Sequence, residues 1–97
     1  MEIIKNKDGE LIVVSVAGKL DSNTAPELEK EIDDILVTEK FNNLEINMQE
    51  LTYLSSAGLR VLLGVQKKLN SIEVELVITN ANENIRSVFE ITGFLGI

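Results

Sequence analysis

The sequence predicts a two-layer α/β domain in the order ββαβαβα: a mixed sheet with an antiparallel N-terminal edge strand, and three helices mainly on one face. Three observations lead there. Apolar runs of strand character recur at residues 11–17, 43–48 and 72–78. Between them, apolar residues return at helical spacing: Leu28, Ile32, Ile35 and Leu36 in one segment, Leu59, Leu62, Leu63, Val65 and Leu69 in the next. Near the N-terminus, Asp8-Gly9 marks a hairpin and hence an antiparallel pair. Strands joined by single helices are parallel, with right-handed crossovers. Two of the later strands are polar on one face, which favours helices on one side over a three-layer, doubly wound sheet.

Each element follows from local chemistry. Residues 2–6 form the first strand and Asn6-Lys7-Asp8-Gly9 the turn. Leu11–Ala17 is β-branched and almost continuously apolar, the composition of a central strand. Gly18–Asn23 is the loop that follows. Thr24 and Glu27 stand at capping-box spacing, and Pro26 falls in the first helical turn, where its missing N–H costs little. The far side of this helix carries Glu27, Glu31 and Asp34, a face that suits a basic partner or simply water. In the next strand Leu44, Ile46 and Met48 point one way, Glu45 and Asn47 the other. A helix then runs from Ser56 to Leu69, with Asn70 at its C-terminal end. Ile72, Val74, Leu76 and Ile78 alternate with Glu73, Glu75 and Val77 in a half-buried strand. Asn82 caps the third helix, which buries Ile85, Val88 and Phe89; Gly93 falls just past its end and Phe94 packs back.

Composition bounds the function. The 97 residues read as one domain, 1–97, with 44% hydrophobic and 26% charged residues. A net charge of −7 argues against nucleic acid and anionic membrane surfaces as partners. Cysteine is absent, which removes disulfides and thiolate metal sites and fits a reducing compartment. Histidine is absent too, which removes Ser–His and Cys–His nucleophile pairs and the commonest metal ligand. An enzyme would have to use carboxylates, Lys19 or Tyr53, so no enzymatic activity, metal or cofactor is expected. Asn47 and Met48 also occupy the strand end where a phosphoaspartate receiver needs an acid. No basic segment followed by an apolar core opens the chain, and no apolar run approaches the ~20 residues of a membrane span. A cytoplasmic protein without direct membrane insertion is expected.

In parallel α/β units the loops after the strands gather along one rim, where ligand sites concentrate. The loop after the second strand holds Lys19, Leu20, Asp21, Ser22 and Asn23; the loop after the third holds Thr52, Tyr53, Leu54, Ser55 and Ser56. The fold therefore brings Asp21 towards Ser55 and Ser56. Leu20 and Leu54 suit either the core or an exposed contact patch. Ser55 fits an N-cap that accepts the N–H of Ala57 or Gly58, worth ~1 kcal/mol. Ser56 is then the first helical residue, an ordinary helix-start serine or a regulatory one with its hydroxyl projecting from the helix end. Gly58 in a first turn costs up to ~1 kcal/mol relative to alanine, which points to close approach of a backbone or a partner.

These two loops carry a resemblance. Tyr53-Leu-Ser-Ser-Ala-Gly-Leu-Arg-Val-Leu-Leu63 resembles the signature of STAS domains, the fold of bacterial anti-sigma factor antagonists. Gly18-Lys-Leu-Asp-Ser-Asn-Thr-Ala25 is similar to that family's Gly-x-Leu-Asp segment before its first helix. The element order, Phe89 and the Thr92-Gly93-Phe94 ending extend the resemblance over the whole chain. The resemblance implies a non-enzymatic regulator that binds an anti-sigma factor with serine kinase activity and so frees a sigma factor. Phosphorylation by that kinase breaks the complex, and a metal-dependent serine phosphatase restores it. Matched residue by residue, the phosphoacceptor falls on Ser56, followed by Ala57-Gly58, and the loop aspartate falls on Asp21. The partner-binding surface it implies comprises Asp21, Ser22, Asn23, Leu54, Ser55, Ser56, Gly58 and Arg60. Ser55 stands where members often carry Asp, which makes it a second candidate acceptor. The family also admits a constitutive adaptor, for example a subunit of a lipid-transport complex, in which Ser56 is a contact or a cap and is never phosphorylated.

Overall fold

In the computed structural model, which describes residues 1–92, strand β1 (Glu2–Asp8) and strand β2 (Leu11–Leu20) form an antiparallel hairpin. Asp8 pairs with Leu11, so the loop is the two residues Gly9 and Glu10 rather than Asn6–Gly9. Gly9 sits at φ +62, at the first loop position, where the tightest hairpin turns require a left-handed residue. The hairpin signal was therefore right in kind but placed early, and β1 continues two residues beyond Asn6.

Helix α1 (Ala25–Thr38), strand β3 (Asn43–Leu54), helix α2 (Ser56–Ser71), strand β4 (Glu75–Thr79) and helix α3 (Glu83–Thr92) complete the order ββαβαβα. The sheet order is β1-β2-β3-β4, with β2–β3 and β3–β4 parallel. β2 is interior, as its apolar composition predicts, and β1 is the antiparallel edge. Ile12, Val14 and Val16 of β2, Leu44, Ile46 and Met48 of β3, and Leu76 and Ile78 of β4 share a buried face. Against it pack Leu28, Ile32 and Ile35 of α1, Leu59, Leu62, Val65 and Leu69 of α2, and Ile85 and Phe89 of α3. The opposite face carries Ile4, Ser15, Asn47 and Thr79 in one row across the four strands, with Ile4 largely exposed. Two layers result.

Four local expectations need correction. β2 extends to Leu20 and β3 to Leu54, each beyond its expected end. The alternation in β3 stops at Met48 because β3 carries an extra residue at two places, between the partners of Ser15 and Ala17 and between those of Gly18 and Lys19. Each insertion resets which face the side chains take, so Leu51 and Leu54 are buried while Gln49, Glu50, Thr52 and Tyr53 are exposed. Polar side chains tie both irregularities: Asn47 Oδ1 accepts the Gln49 N–H at 3.0 Å, and the Thr52 hydroxyl donates to the Gly18 carbonyl at 2.9 Å. Gly18 itself sits at φ +97, a backbone state that only glycine adopts readily.

The capping box at α1 does not form. The Thr24 side chain makes no cap hydrogen bond; its hydroxyl donates to the Lys19 carbonyl at 2.8 Å and accepts the Asp21 N–H at 2.9 Å. The expected strand at 72–78 begins only at Glu75. Ile72 is instead consumed in ending α2: Val74 N–H returns to the Leu69 carbonyl at 2.9 Å, Glu73 N–H to that of Asn70 at 3.1 Å, and Glu73 takes φ +60. This is the Schellman arrangement, with glutamate where glycine is usual. Asn82 caps α3 as expected, its Oδ1 accepting the Ile85 N–H at 2.9 Å. Gly93 and Phe94 lie outside the described residues.

Candidate functional site

The site lies where β2 and β3 end side by side. Leu20 pairs with Leu54, and the Ser55 N–H donates to the Leu20 carbonyl at 2.9 Å. One residue, Ser55, separates β3 from α2, so the helix starts directly above the strand ends. Its proximity to β2 is possible only because position 58 has no side chain. A Cβ there would lie 2.8 Å from the Leu20 Cγ, 2.8 Å from the Leu20 carbonyl oxygen and 2.9 Å from the Leu54 Cδ1. Leu20 and Leu54 are both buried, so they belong to the core reading rather than to an exposed patch. Gly58 is buried as well, and the close approach it permits is to Leu20, backbone and side chain, and to the Leu54 side chain.

On this base the polar residues divide by task. Ser55 caps α2: its Oγ accepts the Gly58 N–H at 3.2 Å, and it is only half-exposed. Ser56, the first residue of α2, is exposed, and its hydroxyl makes no hydrogen bond among the described residues. Arg60 is exposed one turn further on.

The neighbouring loop is built by Asp21. Its Oδ1 accepts the N–H of Asn23 at 2.9 Å and of Thr24 at 3.1 Å, while its carbonyl accepts the Ala25 N–H at 2.8 Å. Partial desolvation raises the Asp21 carboxyl. The N–H donors of Asn23 and Thr24, the Thr24 hydroxyl and the charge of Lys19 outweigh it and hold the carboxyl below its ordinary value. Asp21 is thus a loop-former as well as a negative charge on the rim, and Ser22 and Asn23 stand exposed beside it.

Two residues named in the sequence are more exposed than its pattern implies: Tyr53 of the rim loop, and Leu63, counted there on the apolar stripe of α2. Tyr53 is 50% exposed, and with Thr52, Leu54, Asn84, Ile85 and Val88 it lines a shallow cleft of about 280 Å³ between β3 and α3. Leu63 on α2 is 39% exposed. For Tyr53 the signal lay between Leu51 and Leu54, a spacing of three that simple alternation does not register. For Leu63 it was the position one turn past Arg60. Chemically, the rim offers an unencumbered hydroxyl, a helix N-terminus, one carboxylate and one guanidinium. Among the described residues no group of acidic side chains is arranged to hold a metal.

The sequence profile of the family described as the STAS domain matches residues 2–97. The chain belongs to the STAS domain family. This STAS domain is 35% identical over 94 residues to the anti-sigma-B factor antagonist of Listeria monocytogenes, a match covering 97% of this chain and 82% of that one. It superposes on an anti-sigma factor antagonist from Mycobacterium paratuberculosis with a TM-score of 0.84 and 27% identity, over 95% of this chain and 77% of that one. Against the anti-sigma factor antagonist SpoIIAA in its unphosphorylated form the TM-score is 0.77 at 19% identity, covering 93% and 83% of the two chains. Against the phosphorylated form of SpoIIAA, from Bacillus, it is 0.78 at 19% identity, covering 95% and 84%. At that identity the likeness speaks for the fold alone, and the fold is the same four-stranded mixed sheet and ββαβαβα order. No helix among the described residues is long and apolar enough to cross a membrane.

Proposed function

We propose that this STAS domain is a cytoplasmic anti-sigma factor antagonist: it binds an anti-sigma factor that is also a serine kinase, and phosphorylation of Ser56 releases it. A metal-dependent serine phosphatase reverses the modification. The observation that carries the reading is the contrast between two adjacent hydroxyls. Ser55 Oγ is engaged by the Gly58 N–H, whereas the Ser56 hydroxyl is exposed and uncommitted. A phosphate on Ser55 would be built on the oxygen that already accepts the Gly58 N–H; a phosphate on Ser56 leaves that hydrogen bond as it is.

The physics explains how one phosphate changes binding while sparing the fold. It adds about −1.5 to −2 charges. At a helix N-terminus an anion is favoured by unpaired N–H groups and by the helix dipole. The same charge set into a partner interface beside Asp21, on a chain of net charge −7, meets repulsion and a desolvation cost. A loss of ~3 kcal/mol weakens a complex more than a hundredfold. The equal match to SpoIIAA in both forms, with TM-scores of 0.77 and 0.78, supports a fold that tolerates the phosphate. The names of the relatives support the partner class.

The test is to incubate the protein with Mg-ATP and the purified kinase-type anti-sigma factor encoded in the same genome, then map phosphate by mass spectrometry. Modification at Ser56, abolished in Ser56→Ala and retained in Ser55→Ala, is the expected result. Absence of phosphate from Ser56 with an active cognate kinase would refute the switch.

A further inference from the structure

The face of the sheet turned away from the helices is uncovered. Strands β2, β3 and β4 run parallel, and parallel strands are ordinarily buried on both faces. Side chains alternate across each strand, so the neighbours of the buried Ile12, Val14 and Val16 point outward with their cross-strand partners. Ile4 of β1, Leu11 and Val13 of β2 and Val77 of β4 lie on this outer face; Ile4 is 48% exposed and the other three are half-buried. Four strands spaced about 4.8 Å apart make a face about 14 Å across, wide enough to seat one helix of ~10 Å diameter.

The same face carries charge of one sign. Glu2 and Asp8 of β1, Glu45 of β3 and Glu75 of β4 stand on it, and no lysine or arginine shares their rows. Lys5 and Lys7 of β1 alternate to the helix side, where both reach Glu39 just past the end of α1. Lys19 lies beyond the second irregularity of the β2–β3 pair, beside Asp21 on the rim. None of the four carboxylates forms an ion pair among the described residues. Beside the extra β3 residue between the partners of Ser15 and Ala17 lies a hollow of about 190 Å³. It is lined in part by Ile4 and Ala17, by Ser15 and Asn47, and by Glu2 and Glu50.

We propose that this outer sheet face docks a cationic amphipathic helix of a partner protein, with its apolar stripe on Ile4, Val13 and Val77 and an arginine in the hollow between Glu2 and Glu50. Charge selects the occupant. A second copy of the chain would set these carboxylates against themselves, and an anionic membrane or a nucleic acid is repelled by the same sign. An apolar centre rimmed by charge is the usual anatomy of a protein interface. Arginine suits the hollow better than lysine, because its planar guanidinium lies flat on apolar surface while its edges pair with carboxylates. The inference stands apart from the Ser56 switch. The helices occupy one side of the sheet and this surface the other, so one chain can hold both partners at once.

The test titrates isotope-labelled protein with an amphipathic helical peptide of arginine and leucine, and with a glutamate–leucine peptide of the same pattern, followed by amide NMR. The arginine peptide is expected to shift the amides of Ile4, Val13, Ser15, Glu45 and Val77, and the glutamate peptide to shift none of them. Glu2→Lys/Glu50→Lys is expected to raise Kd by at least about tenfold. The charge-matched control on α1, Glu31→Lys/Asp34→Lys, stays within about twofold, as does Ser56→Asp. Circular dichroism melts verify folding; should the reversal not fold, Glu2→Gln/Glu50→Gln replaces it, with an expected rise of at least about threefold. Shifts centred on α1, or an equal loss of binding in the α1 control, mean unspecific attraction to an acidic chain and refute the site. Self-association in sedimentation that is lost in Val13→Lys assigns the face to a second copy and overturns the proposed occupant. Binding to phosphatidylglycerol vesicles that is lost in the same variant overturns it in favour of a membrane.

Discussion

Replacing Gly58 by alanine adds one methyl group at the point where α2 rests on the ends of β2 and β3. In isolation the change favours the helix by up to ~1 kcal/mol. Here the new Cβ meets three atoms inside 3.0 Å: Leu20 Cγ at 2.8 Å, the Leu20 carbonyl oxygen at 2.8 Å and Leu54 Cδ1 at 2.9 Å. The two leucine side chains are buried among other apolar groups and have little room to turn. The carbonyl oxygen is backbone, and it already accepts the Ser55 N–H at 2.9 Å, so moving it strains the junction between the two loops. Overpacking of this kind costs ~1–3 kcal/mol, and weakening the Ser55 hydrogen bond adds ~1 kcal/mol. Against the propensity gain, the net loss is ~1–3 kcal/mol, or a Tm about 5–20 °C lower for a domain of this size. Gly64, two turns along the same helix, supplies the comparison: a Cβ there meets nothing within 4 Å. Gly64→Ala is therefore expected to stabilise by up to ~1 kcal/mol, raising Tm by about 4–8 °C. Thermal melts and urea titrations of the two variants decide the matter. If Gly58→Ala melts at or above wild type, the reading of Gly58 as a close-approach position is refuted.

Ser55→Ala removes the α2 cap and is expected to cost ~1 kcal/mol in urea titration, whereas Ser56→Ala stays within about 0.5 kcal/mol of wild type; equal losses would overturn the division of tasks. Glu73→Gly is expected to raise Tm by about 2–4 °C, because relief of a left-handed glutamate outweighs the added freedom of the unfolded chain; a lower Tm counts against the assigned helix ending. Acid stability follows from two carboxyls. Asp21, where hydrogen bonds from its own loop outweigh desolvation, and Glu39, which accepts from Lys5 and feels Lys7, are held below their ordinary values of 3.8 and 4.5. The unfolded chain therefore takes up protons first, so their contribution is present above those values and is lost as pH falls through the lower folded ones. Urea midpoints are expected to drop below about pH 4.5, and less steeply in Asp21→Asn; an unchanged slope in that variant would remove Asp21 from the account.

The parts of this protein that local chemistry controls were legible in its residues. Alternating Leu44, Ile46 and Met48, the helical returns of Leu28, Ile32 and Ile35, and Asn82 at its cap position each report a period or a hydrogen bond formed within a few residues. The motif around Ser55–Gly58 and the Gly18–Ala25 segment were legible for the same reason, and they carried the family assignment with them. Other features depended on chains meeting across the fold. The extra residues that carry β3 on to Leu54 are defined only against β2. Thr24 gives up its expected cap because its hydroxyl is engaged at the end of β2, accepting the Asp21 N–H and donating to the Lys19 carbonyl. Glu73 takes a left-handed conformation because α2 has to stop for Val74 to enter the core.

The sequence by itself determined the order of elements, the family and the two neighbouring hydroxyls at the head of α2. Their division was also legible, Ser55 as the cap and Ser56 as the first helical residue; the tertiary structure decided where that helix is seated. The buried Leu20 carbonyl and the missing side chain of Gly58 place α2 on the strand ends, so that the Gly58 N–H engages Ser55 and leaves Ser56 outside. Local propensity reaches only a turn or so along the chain, and the seating of α2 is made between strands distant in sequence.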